Sequence, residues 1–165
     1  MIRSLLLVAA ITLPMYAQKV TLEFDEGADF TQYKTFFINE GQLNSKNVAL
    51  KGELVRKNIQ TAIRKRLTDR GLTEVTSGPR DLNVVFSLGA NRQREVDVYP
   101  ARWWGTRRVV TGYTEGTLVI NLRDTKQKSL VWRTITVEDK SDAAHIEGKL
   151  DDMVKKAFEK YPPKK

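Results

Sequence analysis

One histidine and no cysteine occur in this 165-residue chain, and that narrows its chemistry at once. Without cysteine there is no disulfide, thiolate metal site, C-x-x-C redox pair or thiol lipidation. His145 has no second histidine for a metal site and no triad partner in reach of a motif, so it reads as a partly exposed helix residue. The chain carries no G-x-S-x-G elbow, Walker loop, dinucleotide fingerprint or H-E-x-x-H. Asp25, Glu26 and Asp29 could offer oxygens to a hard cation. Their spacing does not match an EF-hand loop, and turn-forming acids are common, so the turn reading is preferred. Asp151 and Asp152 are adjacent on a helix, project in different directions and make a poor acid/base pair. These residues assign no catalytic group, no metal and no cofactor, and a non-enzymatic protein is expected.

The segment with binding chemistry is Tyr99-Pro100-Ala101-Arg102-Trp103-Trp104-Gly105-Thr106-Arg107-Arg108. Aromatic rings beside guanidinium groups can stack sugars or bases and can engage phosphate or lipid headgroups. Tyr99, Arg102, Trp103, Trp104, Arg107 and Arg108 are therefore the candidate binding residues, with Arg92 and Arg94 nearby. The competing reading is that one or both tryptophans fold back over an edge of the sheet, because large aromatics usually bury most of their area. Residues 89–112 show no sustained period and read as a long connection, a kind of segment that is either functional or mobile.

The elements that would position this segment follow from periodicity. Val20, Leu22 and Phe24 alternate with polar residues, as in a strand with one buried face. Residues 25–29 form a turn, 33–38 a second strand, and 39–48 a polar loop. Leu54, Val55, Ile59, Ala62, Ile63 and Leu67 mark one face of a helix. Asn47 is its candidate cap and Gly71 its left-handed stop. Arg56, Lys57, Arg64, Lys65 and Arg70 cover its other side, and without interleaved aromatics they read as a solvated face, not a nucleic-acid surface. A short strand at 72–75 and a clear one at 82–88 follow. Residues 113–123 and 130–137 form an antiparallel hairpin in which Trp132 packs. Ser141 or Asp142 caps a last helix whose apolar face runs from Ile146 to Tyr161. The expected fold is α+β, with two layers: a mostly antiparallel sheet and two helices packed on one of its faces.

Met1 to Ala17 has the layout of a secretory signal peptide: Arg3, the apolar run Leu5–Leu13, Pro14 and a small residue before Gln18. The run is shorter than the roughly 20 residues that cross a bilayer as a helix. The expected organisation is thus a signal peptide at 1–17 and one α+β domain at 18–165, with no transmembrane helix in the mature chain. The net charge of +8 favours anionic surfaces without naming one. An anionic envelope surface, a glycan or an envelope protein is the expected partner, and nucleic acid is not.

Seven segments carry a family resemblance: Gln18–Val20, Asp29–Phe36, Gly71–Thr73, Asp81–Val84, Tyr113–Leu122, Leu130–Arg133 and Tyr161–Lys164. In this order they resemble the bacterial envelope family called domain of unknown function 4136, over nearly the whole mature chain. The resemblance implies an exported domain, often lipid-anchored in relatives; this chain departs in having no lipidation cysteine. Relatives carry a Trp/Tyr/Gly-rich loop before the Tyr-Thr-x-Gly-Thr strand, and here that loop is richer in arginine. The family has no established activity, so it transfers no catalytic residue. The expected function is an exported periplasmic or envelope-associated binding or structural domain, not lipidated through cysteine. The alternative is an uncharacterised periplasmic hydrolase.

Overall fold

The computed structural model describes residues 18–100 and 106–163, with side chains placed for 18–90, 116–138 and 142–163. The expected signal peptide lies outside the described residues, as does the end of the carboxyl tail. In chain order the elements are β1 (Lys19–Phe24), β2 (Thr35–Ile38), β3 (Gln42–Ser45), α1 (Glu53–Thr68), β4 (Thr73–Glu74), β5 (Leu82–Pro100), β6 (Thr106–Asp124), β7 (Leu130–Ser141) and α2 (Ala143–Phe158). The sheet order is β1-β7-β6-β5-β2-β4, with β3 pairing the upper part of β5. The β1–β7, β6–β7 and β5–β6 ladders are antiparallel. The short strands β2, β3 and β4 add in parallel. This is the expected α+β fold with a mostly antiparallel sheet.

One-sided burial explains the strand patterns. Leu82, Val84, Phe86, Leu88 and Ala90 of β5 are buried while the residues between them are partly exposed. Leu118, Ile120 and Leu122 of β6 do the same. The buried stripe of α1 (Val55, Ile59, Ala62, Ile63, Leu67) and that of α2 (Ile146, Leu150, Met153, Val154, Ala157, Phe158) join them in a single core cluster. Trp132 is fully buried and stacks on Phe158, with ring centroids 5.0 Å apart and an interplanar angle of 23°. Tyr161 closes the cluster edge-on to both rings. Aromatic pairs of this kind contribute about 0.5–1.5 kcal/mol beyond the area they bury.

The helix ends follow local rules. Asp142 caps α2 by accepting from the His145 N–H at 2.7 Å. Gly71 follows α1 with φ +84°, and the Leu72 N–H reaches back to the Leu67 carbonyl at 3.1 Å, a left-handed stop that suits glycine. Arg70 then ties α1 to the end of α2 by donating to the Tyr161 carbonyl at 2.7 Å and to the Phe158 carbonyl.

Four expectations need correction. Asn47 does not cap α1; its side chain accepts from Ala49 N–H and starts a 3-10 turn at Val48–Lys51, after which α1 begins beyond Gly52. Leu54 is 65% exposed, because the residues above it on its own face are Lys57, Asn58 and Thr61. The polar loop at 39–48 contains β3, too short and too polar to show a period. Most consequentially, residues 89–100 and 106–112 are not an irregular connection. β5 and β6 run on as one antiparallel hairpin, paired from Leu82↔Asp124 out to Pro100↔Thr106.

Candidate functional site

That hairpin has two parts. Up to Ala90, β5 also pairs β3, and down to Thr114, β6 also pairs β7. From Gln93↔Tyr113 outward, β5 and β6 pair only each other among the described residues. At about 3.3 Å per residue the two-stranded ribbon is roughly 25 Å long. Where the ribbon leaves the sheet, the β6–β7 register shifts between Thr114↔Ser141 and Gly116↔Glu138; the extra residue is on β7, and a bulge bends the strand that carries it. Of the six candidate binding residues, Tyr99 lies on β5 opposite Arg107 on β6, and Arg108 lies opposite Val98. Arg102, Trp103 and Trp104, between the two strands in sequence, lie outside the described residues, and so do the side chains of Tyr99, Arg107 and Arg108.

A second cluster sits at the opposite end of the same hairpin, and the sequence reading passed over it. Asp124, 5% exposed, accepts from the Tyr33 hydroxyl at 3.0 Å and from the Lys126 and Gln127 N–H groups at 2.7 and 2.8 Å. Burial pushes its carboxyl up, but these donors and the Lys126 charge outweigh it and hold the group below the usual carboxylate range. Asp81 accepts from the Lys34 and Thr35 N–H groups at 2.9 and 3.0 Å and from the Thr35 hydroxyl. The Lys34 N–H leads in holding this carboxyl below its usual range as well, against the penalty of burial. Burial and the Asp124 carboxylate push the Tyr33 phenol well above its ordinary value. A small cavity of 80 Å³ lies between these groups. Asp124 accepts on both oxygens, the three donors to Asp81 all meet its Oδ2, and both carboxylates are held below their ordinary range, so neither is tuned as a general base. The arrangement is a latch joining the start of β2, the start of β5 and the end of β6. A carboxylate heading a polar turn is a legible Asx signal at Asp124; its Tyr33 partner, 91 residues away, carries no local mark.

The remaining expected groups are separated. The Asp25 side chain accepts from Gly27 N–H and that of Asp29 from Thr31 N–H, which is the turn chemistry expected of them. His145 Nε2 lies 3.6 Å from Glu138 Oε1, with the imidazole about half exposed. Asp25 hydrogen-bonds to Val131 at the start of β7, whereas Glu138 is seven residues further along, about 23 Å away. Asp151 pairs with Arg66 at 2.9 Å and Asp152 faces Lys149 at 3.6 Å, so the two aspartates do diverge. The basic side of α1 is largely engaged by Glu53, Glu74 and Asp69. Among the described residues no group of three or more His, Asp or Glu is arranged to hold a metal ion, and no helix is long and apolar enough to cross a membrane.

A mostly antiparallel sheet with two helices on one face and a long terminal ribbon defines the class of domain. The chain belongs to the family described as Domain of unknown function (DUF4136), whose model matches residues 20–163. In fold it is similar to a PDZ domain protein from Parabacteroides distasonis, with a TM-score of 0.57 and 18% identity. That likeness covers 90% of this chain but 37% of the other, so this chain spans little more than a third of that protein's length. It is also similar to a PelC dodecamer subunit from Paraburkholderia phytofirmans, with a TM-score of 0.52 and 9% identity, covering 86% of this chain and 95% of that one. Identities this low show the fold alone. Comparison with curated proteins finds no match.

Proposed function

We propose that this chain is an exported envelope domain that binds rather than catalyses, and that the outer end of the β5–β6 ribbon is its contact surface. The observation that carries this reading is the ribbon itself. A two-stranded hairpin is marginal in water without further strands or a helix against it. Here such a hairpin continues roughly 25 Å past the covered sheet and ends in the segment holding Tyr99, Arg102, Trp103, Trp104, Arg107 and Arg108. Arginine and tryptophan supply the side chains that most often anchor a contact. The signal-peptide layout of residues 1–17 supports export, and the net charge of +8 supports an anionic partner such as an envelope surface, an acidic glycan or an acidic envelope protein. The hydrolase alternative has no observation in its favour.

The test replaces Trp103, Trp104, Arg107 and Arg108 together with alanine and measures cosedimentation with envelope fractions, with circular dichroism as the fold control. Binding should fall at least about tenfold, the equivalent of a single strong contact residue. Unchanged binding by the folded variant would remove the ribbon end as the site. Protease-treated envelopes and anionic vesicles run alongside separate a protein partner from a lipid or glycan one.

A further inference from the structure

β1 has one strand neighbour, β7, and no described strand covers its other edge. The direction of its backbone groups is fixed by the ladder. Asp25 N–H donates to the Val131 carbonyl at 3.0 Å, in register with Lys19↔Val137. In an antiparallel ladder, hydrogen-bonded pairs alternate with pairs that are not. The odd-numbered residues of β1 therefore send their N–H and C=O groups to β7, and Gln18, Val20, Leu22 and Phe24 send theirs to the open edge. An antiparallel strand added there must pair through those even-numbered residues.

The sequence of β1, Lys-Val-Thr-Leu-Glu-Phe, fits itself under that constraint. With Thr21 opposite Thr21, Val20 lies opposite Leu22, and Lys19 lies opposite Glu23. A shift of two residues in either direction removes the Lys19–Glu23 pairing. We propose that β1 pairs antiparallel with β1 of a second copy of this chain, about a two-fold axis at Thr21, joining two sheets into one. Val20↔Leu22 and its symmetry mate then make the central hydrogen bonds, and Lys19↔Glu23 occurs twice on the opposite face. Cross-strand pairs of opposite charge, paired threonines and paired branched aliphatics each favour a ladder. Such an interface is isologous, the commonest kind in homo-oligomers.

Two features of the free chain fit this occupant. Val20 is 38% exposed, unusual for a large aliphatic in this structure, and a second strand would cover it with Leu22 of the other copy. Beside it runs a groove of 460 Å³ lined by Val20, Leu22 and Ala157 together with the charged Lys156, Glu159 and Lys160; Thr134 also lines it, and its hydroxyl is buried without a hydrogen-bond partner. The groove leaves the helix side of β1 open to the added strand's side chains. A lysine on an edge strand ordinarily deters pairing; here its opposite number in the second copy is a glutamate. Glu23 already faces Arg133 at a loose 3.5 Å, which leaves it a carboxylate oxygen for Lys19.

The experiment uses the protein expressed from its full coding sequence and two readouts. In sedimentation velocity, the wild type should self-associate as a dimer. Lys19→Glu or Glu23→Lys alone should weaken that dimer about tenfold, and the double exchange should restore it to within about threefold. In the second readout, the absence of native cysteine makes single-cysteine crosslinking unambiguous. Thr21→Cys should form a disulfide dimer on mild oxidation. Glu23→Cys should not, since the symmetry-related pair would be about 13 Å apart, beyond disulfide reach. Circular dichroism confirms that each variant is folded. A monomeric wild type, an association indifferent to both charge reversals, or equal crosslinking at 21 and 23 would each overturn the proposal, and a different partner's strand on this edge would give the first of these results.

Discussion

β5 and β6 are each one continuous strand, yet their two halves live in different surroundings. From Leu82 to Ala90 and from Gly116 to Asp124 they lie under α1 and α2, flanked by β3 and β7, and alternate residues are fully buried. From Gln93 to Pro100 and from Thr106 to Tyr113 they pair only each other among the described residues. The inner half shows its strand periodicity in the sequence and the outer half does not. The contrast teaches that apolar alternation reports one-sided burial and not extended backbone as such. Where no helix covers a face, nothing requires every second residue to be apolar, and a paired ribbon reads as an aperiodic connection. The proposed function divides their roles along the same line, with stability in the inner half and contact in the outer half.

The largest expected effect lies in the inner half. Trp132→Ala should cost about 3–5 kcal/mol in denaturant unfolding, because the ring is fully buried and stacked on Phe158. A loss under about 1 kcal/mol would mean that the core relaxes into the space and that the inner half is less firmly packed than its burial implies.

A smaller effect is expected at the latch below it. Asp124→Ala leaves the Tyr33 hydroxyl and two backbone N–H groups without their acceptor, and should cost about 1–3 kcal/mol. The latch also carries an acid dependence. Asp81 and Asp124 are both held below the ordinary carboxyl value in the folded chain. Their contribution is therefore complete above about pH 4, the usual value in an unfolded chain, and is lost as pH falls through the lower folded values. Unfolding curves across that window should flatten in the Asp81→Asn/Asp124→Asn double variant relative to wild type. Equal acid slopes in the two proteins would assign acid loss to other carboxylates.

The smallest stability effect should come from the outer half. Replacing Arg94–Gly112 by Asn-Gly keeps the Gln93↔Tyr113 pair and closes it with a favoured two-residue turn. Stability should change by less than about 1 kcal/mol, since among the described residues the strands of the ribbon pair only each other, and a lone two-stranded hairpin is marginal. A larger loss would show that the ribbon folds back on the body of the molecule, which is the alternative reading of Trp103 and Trp104.

Most of the inner fold was legible in the residues. The two helical stripes, the alternation at 82–88 and 113–123, and the packing role of Trp132 all reflect one-sided burial that writes itself into local spacing. What escaped was either non-local or uncovered. The parallel strand β3 is held by pairing to β5 with only Leu43 and Ser45 turned inward. The Tyr33–Asp124 bond joins residues 91 positions apart. Leu54 matched the expected stripe in type, but its helical neighbours on that face are polar. The candidate binding residues were picked out by composition alone; pairing adds that Tyr99, Arg107 and Arg108 share the outer end of one ribbon.

Cosedimentation of the Asn-Gly ribbon-shortened protein with envelope fractions, alongside its unfolding curve, tests the division of labour between the two halves most directly. The account predicts a protein that unfolds like the wild type and no longer binds. A shortened protein that still binds envelope fractions with wild-type affinity would contradict it.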